Sequence, residues 1–475
     1  MIHDFYNIFL PQSCLILFIL IELVMSFFTN IKKYNLARPI SAFGICIAVL
    51  LLTSVQTEPQ YFGFFNSVMS DNYTLLFHFM ILLCGFFVVL LSKNIDQKLK
   101  KSGYMFQALL LTAILGGMCV VSANDFITLF VSLEVLSFST YFLIASTKDY
   151  FSKEASFKYL ITTAVSTGVF LFGVSYLYGV SGSLDLNEIY EIVINKPHSM
   201  LFSFSGILIV LGLIAKLALF PFANWVIDVY KGTETSVLAY LSTIPKLALF
   251  GIICRMIVFP LGRTVELTFV LCFIALITAL WANTYAIREK NVKAIFACSS
   301  AANASYVMLT ASLVSVYNLS TVIFYLVSYV IINICAFSFL NIVESNNLGF
   351  NLDKFKGLFK TNFGISIAYV ISILALAGFP LTSGFVAKIY LFSAIAHSGL
   401  IFIPFLLILL ILTVVALFYY LKLILPIFEN IDEVKNFKCA FSQSFVLYIT
   451  AIITVLIGLY PEKLIELCRF IAYNI

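Results

Sequence analysis

GLIAKLALFPFANWVIDVYKGTETSVLAYLSTIPKLALF, residues 212–250, decides how the rest of this chain is read. Two lysines, Lys216 and Lys246, stand in runs that are otherwise almost wholly apolar. Pro221 closely follows the first and Pro245 directly precedes the second. A lysine at mid-bilayer depth costs roughly 2.5–3.5 kcal/mol on insertion scales. A proline removes a backbone donor and opens the helix. Such breaks are tolerated at membrane depth where protein or a water-filled cavity covers them. Charge beside a break, twice in so short a stretch, points to an ion path rather than an anchor.

Working outward, the 475 residues are 62% hydrophobic and only 11% charged, whereas soluble domains carry about a quarter charged residues. The apolar runs are long and continuous, which fits helices of roughly 20 residues crossing a bilayer and not the alternating strands of an outer-membrane barrel. The net charge of +5 is spread over short loops, so nucleic acid is not an expected partner. None of the ten cysteines forms a C-x-x-C pair; they read as small buried hydrophobes, and no metal or cluster is expected on this chain. The N-terminus lacks a charged n-region and a small-residue cleavage site, so Ile8–Phe28 is expected to be a retained first helix.

The expected fold is an all-α polytopic membrane protein of about fourteen transmembrane helices. The spans fall near 8–28, 39–56, 73–92, 104–122, 125–147, 158–180, 201–222, 235–257, 264–287, 293–314, 318–343, 363–396, 401–426 and 442–461. Helix 7 is expected to continue past Pro221 as an amphipathic piece, Phe222–Tyr230. Helix 12 is interrupted at Gly378-Phe379-Pro380. If the loop after span one lies on side A, that side carries twenty lysines and arginines and side B five; the other three of the 28 are Lys216, Lys246 and Lys388, inside spans. Such a bias marks side A as the cytoplasmic or matrix side. Phe220-Pro221 echoes Phe379-Pro380 five spans later, an odd interval that reverses topology, as in transporters built from inverted repeats with broken helices.

The charges inside the spans carry the chemistry. Glu134, in FITLFVSLEVLSFSTYFLIA, must be neutral or paired, and Ser132, Ser137, Ser139 and Thr140 stand near it in sequence to hold water or bond to it. Intramembrane acids are functional by default, the plainer alternative being a satisfied structural carboxyl. Lys216, Lys246 and Lys388 pose the same choice with opposite sign. A buried lysine can give up its proton where an arginine cannot, and no arginine is read at mid-span. Snorkelling to an interface is the plain reading for Lys158, at a span start. Glu22 and His78 read as hydrogen-bonded packing residues, and Asp125 and Asp228 as solvated or capping residues at span ends. No G-x-x-x-x-G-K-[ST] is present, so ATP is not expected to power this chain.

With these residues in order, the chain resembles the antiporter-like proton-channel subunits of respiratory complex I over essentially its whole length. The pieces are LFVSLEVLSFSTYFLIA with Glu134, EASFKY with Lys158, LYGVSGSLDL, AKLALFPFANWVIDVYKGTETSV with Lys216, LSTIPKLALF with Lys246, KAIFACSSAANASYVML, and LAGFPLTSGFVAKIYLF with Lys388. The resemblance implies proton translocation coupled to quinone reduction elsewhere in a complex. Glu134 and Lys216 match the coupled pair, Lys246 the central connecting lysine, Lys388 the exit-side lysine, and Lys158 a further retained lysine. It also implies two inverted five-helix repeats, 104–257 and 264–426, within one membrane domain of residues 1–475. Partners would be the other complex I membrane subunits and the bilayer. NADH, FMN, iron–sulfur clusters and quinone would lie on partner subunits, and the setting would be a bacterial plasma or mitochondrial inner membrane. Subunits with a long C-terminal lateral helix fit less well, because the chain ends too soon; so do those with Glu in place of Lys388.

The chain departs from the family at named positions. P-F-H-x-W is here Pro221-Phe222-Ala223-Asn224-Trp225, and S-S-x-A-H-A-G-Y is here Ser299-Ser300-Ala301-Ala302-Asn303-Ala304-Ser305-Tyr306. The prolines of G-x-P-T-P-V are replaced in Gly232-Thr233-Glu234-Thr235-Ser236-Val237. Asn303 cannot titrate, so water or a lysine is expected to bridge there. Subunits of a multi-chain Na⁺/H⁺ antiporter or a membrane-bound hydrogenase share the pattern, and a free-standing solute transporter is the more distant alternative.

Overall fold

A backbone that leaves water must pair its N–H and C=O groups within itself, and the computed structural model meets that demand almost wholly with helices. The structure describes residues 8–28, 36–55, 60–99, 102–195, 200–257, 261, 265–429 and 439–474. Of the loop charges used to assign side A and side B, Lys32, Lys33, Lys100, Lys101, Lys196, Arg263, Lys435 and Lys438 lie outside these residues. Among the described residues, 12 helices are long and apolar enough to cross a membrane, and two shorter apolar helices, Met200–Lys216 and Phe363–Ala377, make the fourteen expected from sequence.

The chain forms two compact units. The first comprises residues 1–218, 243–270 and 473–475. It contains α1 (Leu10–Phe28), α2 (Ala37–Leu51), a short antiparallel hairpin of β1 (Tyr61–Gly63) and β2 (Val68–Ser70), α3 (Asn72–Leu91), α4 (Lys93–Leu99), α5 (Gly103–Ser122), α6 (Phe126–Ile144), α7 (Tyr150–Ser181), α8 (Leu186–Asn195) and α9 (Met200–Lys216). Asp71 starts α3 with a reciprocal cap: its Oδ1 accepts from Thr74 N at 2.7 Å and its own N–H donates to Thr74 Oγ1 at 2.8 Å. Asp125 starts α6 by accepting from the N–H groups of Ile127 and Thr128, so it is the capping residue its position suggested.

The first unit's α7 and α9 meet without room for side chains. A Cβ on Gly212 would come within 2.8 Å of the Phe170 backbone, and one on Gly173 within 2.7 Å of Ile209 N. Small residues at such crossings let membrane helices approach closely where no hydrophobic force draws them together.

The second unit comprises residues 219–242 and 271–472. It holds α10 (Trp225–Gly232), α13 (Val292–Ser312), α14 (Val316–Ser345), α15 (Leu358–Thr361), α16 (Phe363–Ala377), α17 (Ser383–His397), α18 (Ile403–Phe428), α19 (Phe441–Leu459) and α20 (Glu462–Tyr473). Two further helices, α11 (Thr235–Met256) and α12 (Val265–Arg288), have residues in both units, and the last residue of α20, Tyr473, falls in the first. Within the second unit, Asn291 and Ser315 cap α13 and α14. Asp228 lies inside α10 and is exposed, rather than ending a span.

The breaks fall as expected at two of three places. Helix ends at Lys216 and resumes at Trp225, and it ends again at Ala377 and resumes at Ser383. Gly378 (φ +83°) and Leu381 (φ +71°) turn the second break in the left-handed region. Pro245, by contrast, does not break its helix: α11 runs unbroken from Thr235 to Met256. The window around it is 94% buried, so packing from all sides holds the helix where the proline takes away one hydrogen bond.

Candidate functional site

Glu134 sits near the middle of α6, half-buried, with 26% of its side chain exposed. Its Oε1 accepts from Thr167 Oγ1 of α7 at 2.8 Å. Lys216, the last residue of α9, brings its Nζ to 3.6 Å from the same oxygen and donates to Ser137 Oγ at 2.8 Å. The predicted acid–amine pair therefore exists. Its N···O separation exceeds the 2.7–3.2 Å of a well-formed hydrogen bond, so charge attraction is the main link between the two groups while each is also held by its own hydroxyl. A helix C-terminus also favours the cation, since its last carbonyls carry partial negative charge.

The sequence had offered four hydroxyls to Glu134, and the structure corrects this. Ser132, Ser139 and Thr140 donate back to the carbonyls of Thr128, Val135 and Leu136, one turn earlier in α6. Ser137 donates to Leu133 O and turns its lone pair to Lys216 instead. Inside a helix the i−4 carbonyl is the nearest acceptor, so small hydroxyls return to their own backbone. Thr167, the true partner of the carboxylate, comes from another helix 33 residues away. Tyr159 adds hydrogen bonds to Ser137 and Thr140.

Lys158, one residue before that tyrosine, is placed differently. Its ammonium pairs with Glu154 at 2.6 Å and 39% of its side chain is exposed. It stands near the start of α7, where the snorkelling alternative had put it. Lys246 is buried in α11, 7% exposed, in the same unit as Glu134 and Lys216.

Lys388 belongs to the second unit. It lies in α17, 7% exposed, and its Nζ donates to the carbonyls of Leu376 (2.7 Å) and Ala377 (3.0 Å). These are terminal carbonyls of the broken half-helix α16, groups that lack helical partners. The break thus creates acceptors and the lysine answers them. At the other break, the freed N–H of Phe220 donates to Thr278 Oγ1 at 2.8 Å.

Asn303, where the family has histidine, is not isolated. Tyr325 Oη donates to its Oδ1 at 2.6 Å, and its Nδ2 donates to Ser299 O at 2.8 Å and Tyr420 Oη at 3.3 Å. Ser299 and Tyr420 share a further bond at 2.6 Å. One small cavity, of about 10 Å³, is lined by Asn303, Tyr325, Ser328, Tyr329 and Lys388 among others. The tyrosines were missed from sequence because 25 of them are scattered through the chain and their spacing gives no sign of convergence. Ala223, at the other lost histidine, is buried. Glu22 is buried and accepts from Ser41 Oγ at 2.8 Å. His78 Nε2 lies 2.9 Å from Met118 O and 3.0 Å from Ser122 Oγ. Both fit the packing roles read from sequence.

Known proteins resemble the chain over most of its length. The family model described as NADH:quinone oxidoreductase/Mrp antiporter, TM, matches residues 123–415. NADH-quinone oxidoreductase subunit N of Anoxybacillus flavithermus is 31% identical, covering 96% of this chain and 95% of its own. NAD(P)H-quinone oxidoreductase subunit 2 of Synechococcus elongatus is 31% identical, covering 88% of this chain and 80% of its own. Among solved structures, a chain of respiratory complex I from Thermus thermophilus with bound aureothin superposes with TM-score 0.82 at 26% identity, covering 97% of this chain and 99% of that one. A chain of the Mrp complex from Dietzia superposes with TM-score 0.86 at 18% identity, covering 98% and 97%, and so shares the fold. Sequence, helix breaks and relatives together establish that the chain belongs to the NADH:quinone oxidoreductase/Mrp antiporter transmembrane family.

Proposed function

We propose that this chain is the proton-translocating membrane subunit of a NADH:quinone oxidoreductase, of the subunit N kind. The observation that carries the proposal is the loose contact of Glu134 with Lys216, at 3.6 Å, where a broken half-helix ends. A pair held apart from a full hydrogen bond needs little movement to change its coupling, and its titration belongs to the pair. When Glu134 is charged and near, Lys216 keeps its proton; when the carboxyl is neutralised or withdrawn, the lysine can release it. Lys246 in the first unit and Lys388 in the second are the next titrating groups in order, with Lys158 at the half-exposed start of α7 as a peripheral member. Residues 104–257 and 264–426 act as two inverted repeats, a reading supported by the matching Phe-Pro breaks, each with a lysine at its half-helix end.

The energy for this movement would come from quinone reduction on partner subunits, which hold NADH, FMN, iron–sulfur clusters and quinone. The similar curated proteins are named as oxidoreductase subunits, and the chain's own contribution is to move and hold protons at Glu134 Oε1 and at the lysine Nζ atoms. The test is Glu134→Ala, Glu134→Gln and Glu134→Asp in the whole complex, with assembly checked by native gel. Electron transfer from NADH to a water-soluble acceptor should persist in all three. Quinone-linked pumping should fall in the Ala and Gln variants and survive better in the Asp variant. Full pumping by an assembled Glu134→Ala complex refutes the pair as a switch.

A further inference from the structure

The hydroxyls of α7 near Glu134 follow one rule, with one exception. Thr162, Thr163 and Ser166 donate to the carbonyls of Lys158, Tyr159 and Thr163, as small hydroxyls inside helices do. Thr167, the next residue, gives its proton to Glu134 Oε1 at 2.8 Å instead. Ser137 plays the complementary part on the amine. Its own proton goes to Leu133 O at 2.7 Å, so the oxygen that meets Lys216 Nζ at 2.8 Å acts as an acceptor. Ser137 stands three residues beyond Glu134, one turn along the same face of α6. The carboxylate is drawn toward α7 and the ammonium toward the next turn of α6, and the two are left 3.6 Å apart.

The backbone beside the pair is already closed. Gly212 lies one turn before Lys216 on α9, and a Cβ there would come within 2.8 Å of the backbone of Phe170, three residues after Thr167 on α7. With the crossing at backbone contact, the gap in the pair is set by where the side chains are held. A charge-assisted hydrogen bond has an N···O distance of about 2.8 Å, so a shift of roughly 0.8 Å from the observed 3.6 Å would form one.

We propose that Thr167 and Ser137 are positioning residues that hold Glu134 and Lys216 apart, keeping the pair coupled but unlocked. The proposal rests on the reading of this pair as a switch. Without the Thr167 donor, the carboxylate turns to the Lys216 ammonium. Without the Ser137 lone pair, the ammonium turns to the carboxylate. Either change closes a charge-assisted hydrogen bond, which makes proton release from Lys216 about tenfold rarer or more. Neither hydroxyl takes up or passes on the migrating proton; each only holds a side chain in place.

The experiment uses the whole complex in proteoliposomes, with assembly checked by native gel. Quinone-linked pumping is compared for Thr167→Val, Thr167→Ser, Ser137→Ala, Glu134→Asp and the double variant Thr167→Val with Glu134→Asp. Thr167→Val and Ser137→Ala should each lower the pumping rate by about tenfold, and Thr167→Ser, which keeps the donor, should restore most of it. The double variant should pump better than Thr167→Val alone, because a carboxyl one methylene shorter does not close on Lys216. Two lesions in a contact that is merely structural would add instead. In infrared spectra the Glu134 carboxylate band, identified by its loss in Glu134→Gln, should shift in Thr167→Val and return in Thr167→Ser. Ser137→Ala tests the same spacing from the amine side if Thr167→Val fails to assemble. Parent-like pumping by Thr167→Val and Ser137→Ala, or a double variant worse than either single one, refutes the spacing role and leaves the switch standing. Full pumping by an assembled Glu134→Ala complex removes the switch itself, and the spacing role falls with it.

Discussion

Asp96 shows how a single buried residue can make stability depend on pH. It lies in α4, outside the membrane spans, with a side chain 2% exposed. Burial pushes its carboxyl up to about 7, against hydrogen bonds from Gln107 and the charge of Arg38, whose Nε lies 3.3 Å from Oδ2. The folded state thus holds a proton that the unfolded chain, near its ordinary value of 3.8, releases. Where the folded state binds more protons, stability falls as pH rises. Between about pH 4 and pH 7 the packing around α4 should weaken progressively, and it should stay weaker above that window. Amide exchange of residues 93–99, measured in the assembled complex after correction for intrinsic rates, should show local opening become easier across this range. The Asp96→Asn variant should flatten the dependence. An unchanged slope in that variant would assign the effect to another group.

Among the elements, the broken helices depend on glycines at the point of contact. A Cβ on Gly384, at the start of α17, would stand 1.9 Å from Ala375 O of α16, nearer than any real Cβ contact. Gly384→Ala must push α17 off the end of α16 and with it the Lys388 ammonium off its two carbonyls. Overpacking costs about 1–3 kcal/mol, occasionally more, and each buried carbonyl left unpaired adds roughly 1–3 kcal/mol. The expected result is a complex that loses this subunit on mild heating, read by native gel. Gly168→Ala is the control, because no other atom lies within 4 Å of a Cβ there; in an α-helix interior it should be neutral or stabilising by up to about 1 kcal/mol. Equal thermal loss in both variants would mean that contact at Gly384 is not the cause.

For the molecule as a whole, long-range polar contacts hold elements that apolar packing would leave free to slide. In the first unit, Arg255 Nη2 bonds both carboxylate oxygens of Asp71 at 3.0 Å, joining residues 184 apart in sequence. Both side chains are only 2% exposed, and the guanidinium also lies 5.1 Å from the Tyr73 ring centroid. Removing one member of a buried pair strands the other charge, at a cost of about 3–5 kcal/mol, while replacing both with apolar groups is often nearly neutral. Arg255→Met should therefore lower the thermal midpoint of the assembled complex more than Arg255→Met with Asp71→Leu. If the double variant is as unstable as the sum of the two singles, the pair is not coupled.

The sequence by itself determined the number of spans, two of the three expected breaks, and the charged residues inside the spans, Glu134, Lys216, Lys246 and Lys388. These were legible because a charge in an apolar run is costly wherever the run ends up, and because Phe-Pro acts on its own helix. Tertiary structure alone decided what each charge touches. Thr167 rather than the neighbouring serines serves Glu134, since a hydroxyl inside a helix turns to its own carbonyl. Packing on all sides carries α11 through Pro245, which local propensity would have broken. The tyrosines around Asn303, and the meeting of Glu344 with Lys293 and Thr235, come from distant parts of the chain. Single residues with no periodic pattern leave no trace of such convergence in sequence, because proximity there depends on how separate helices pack.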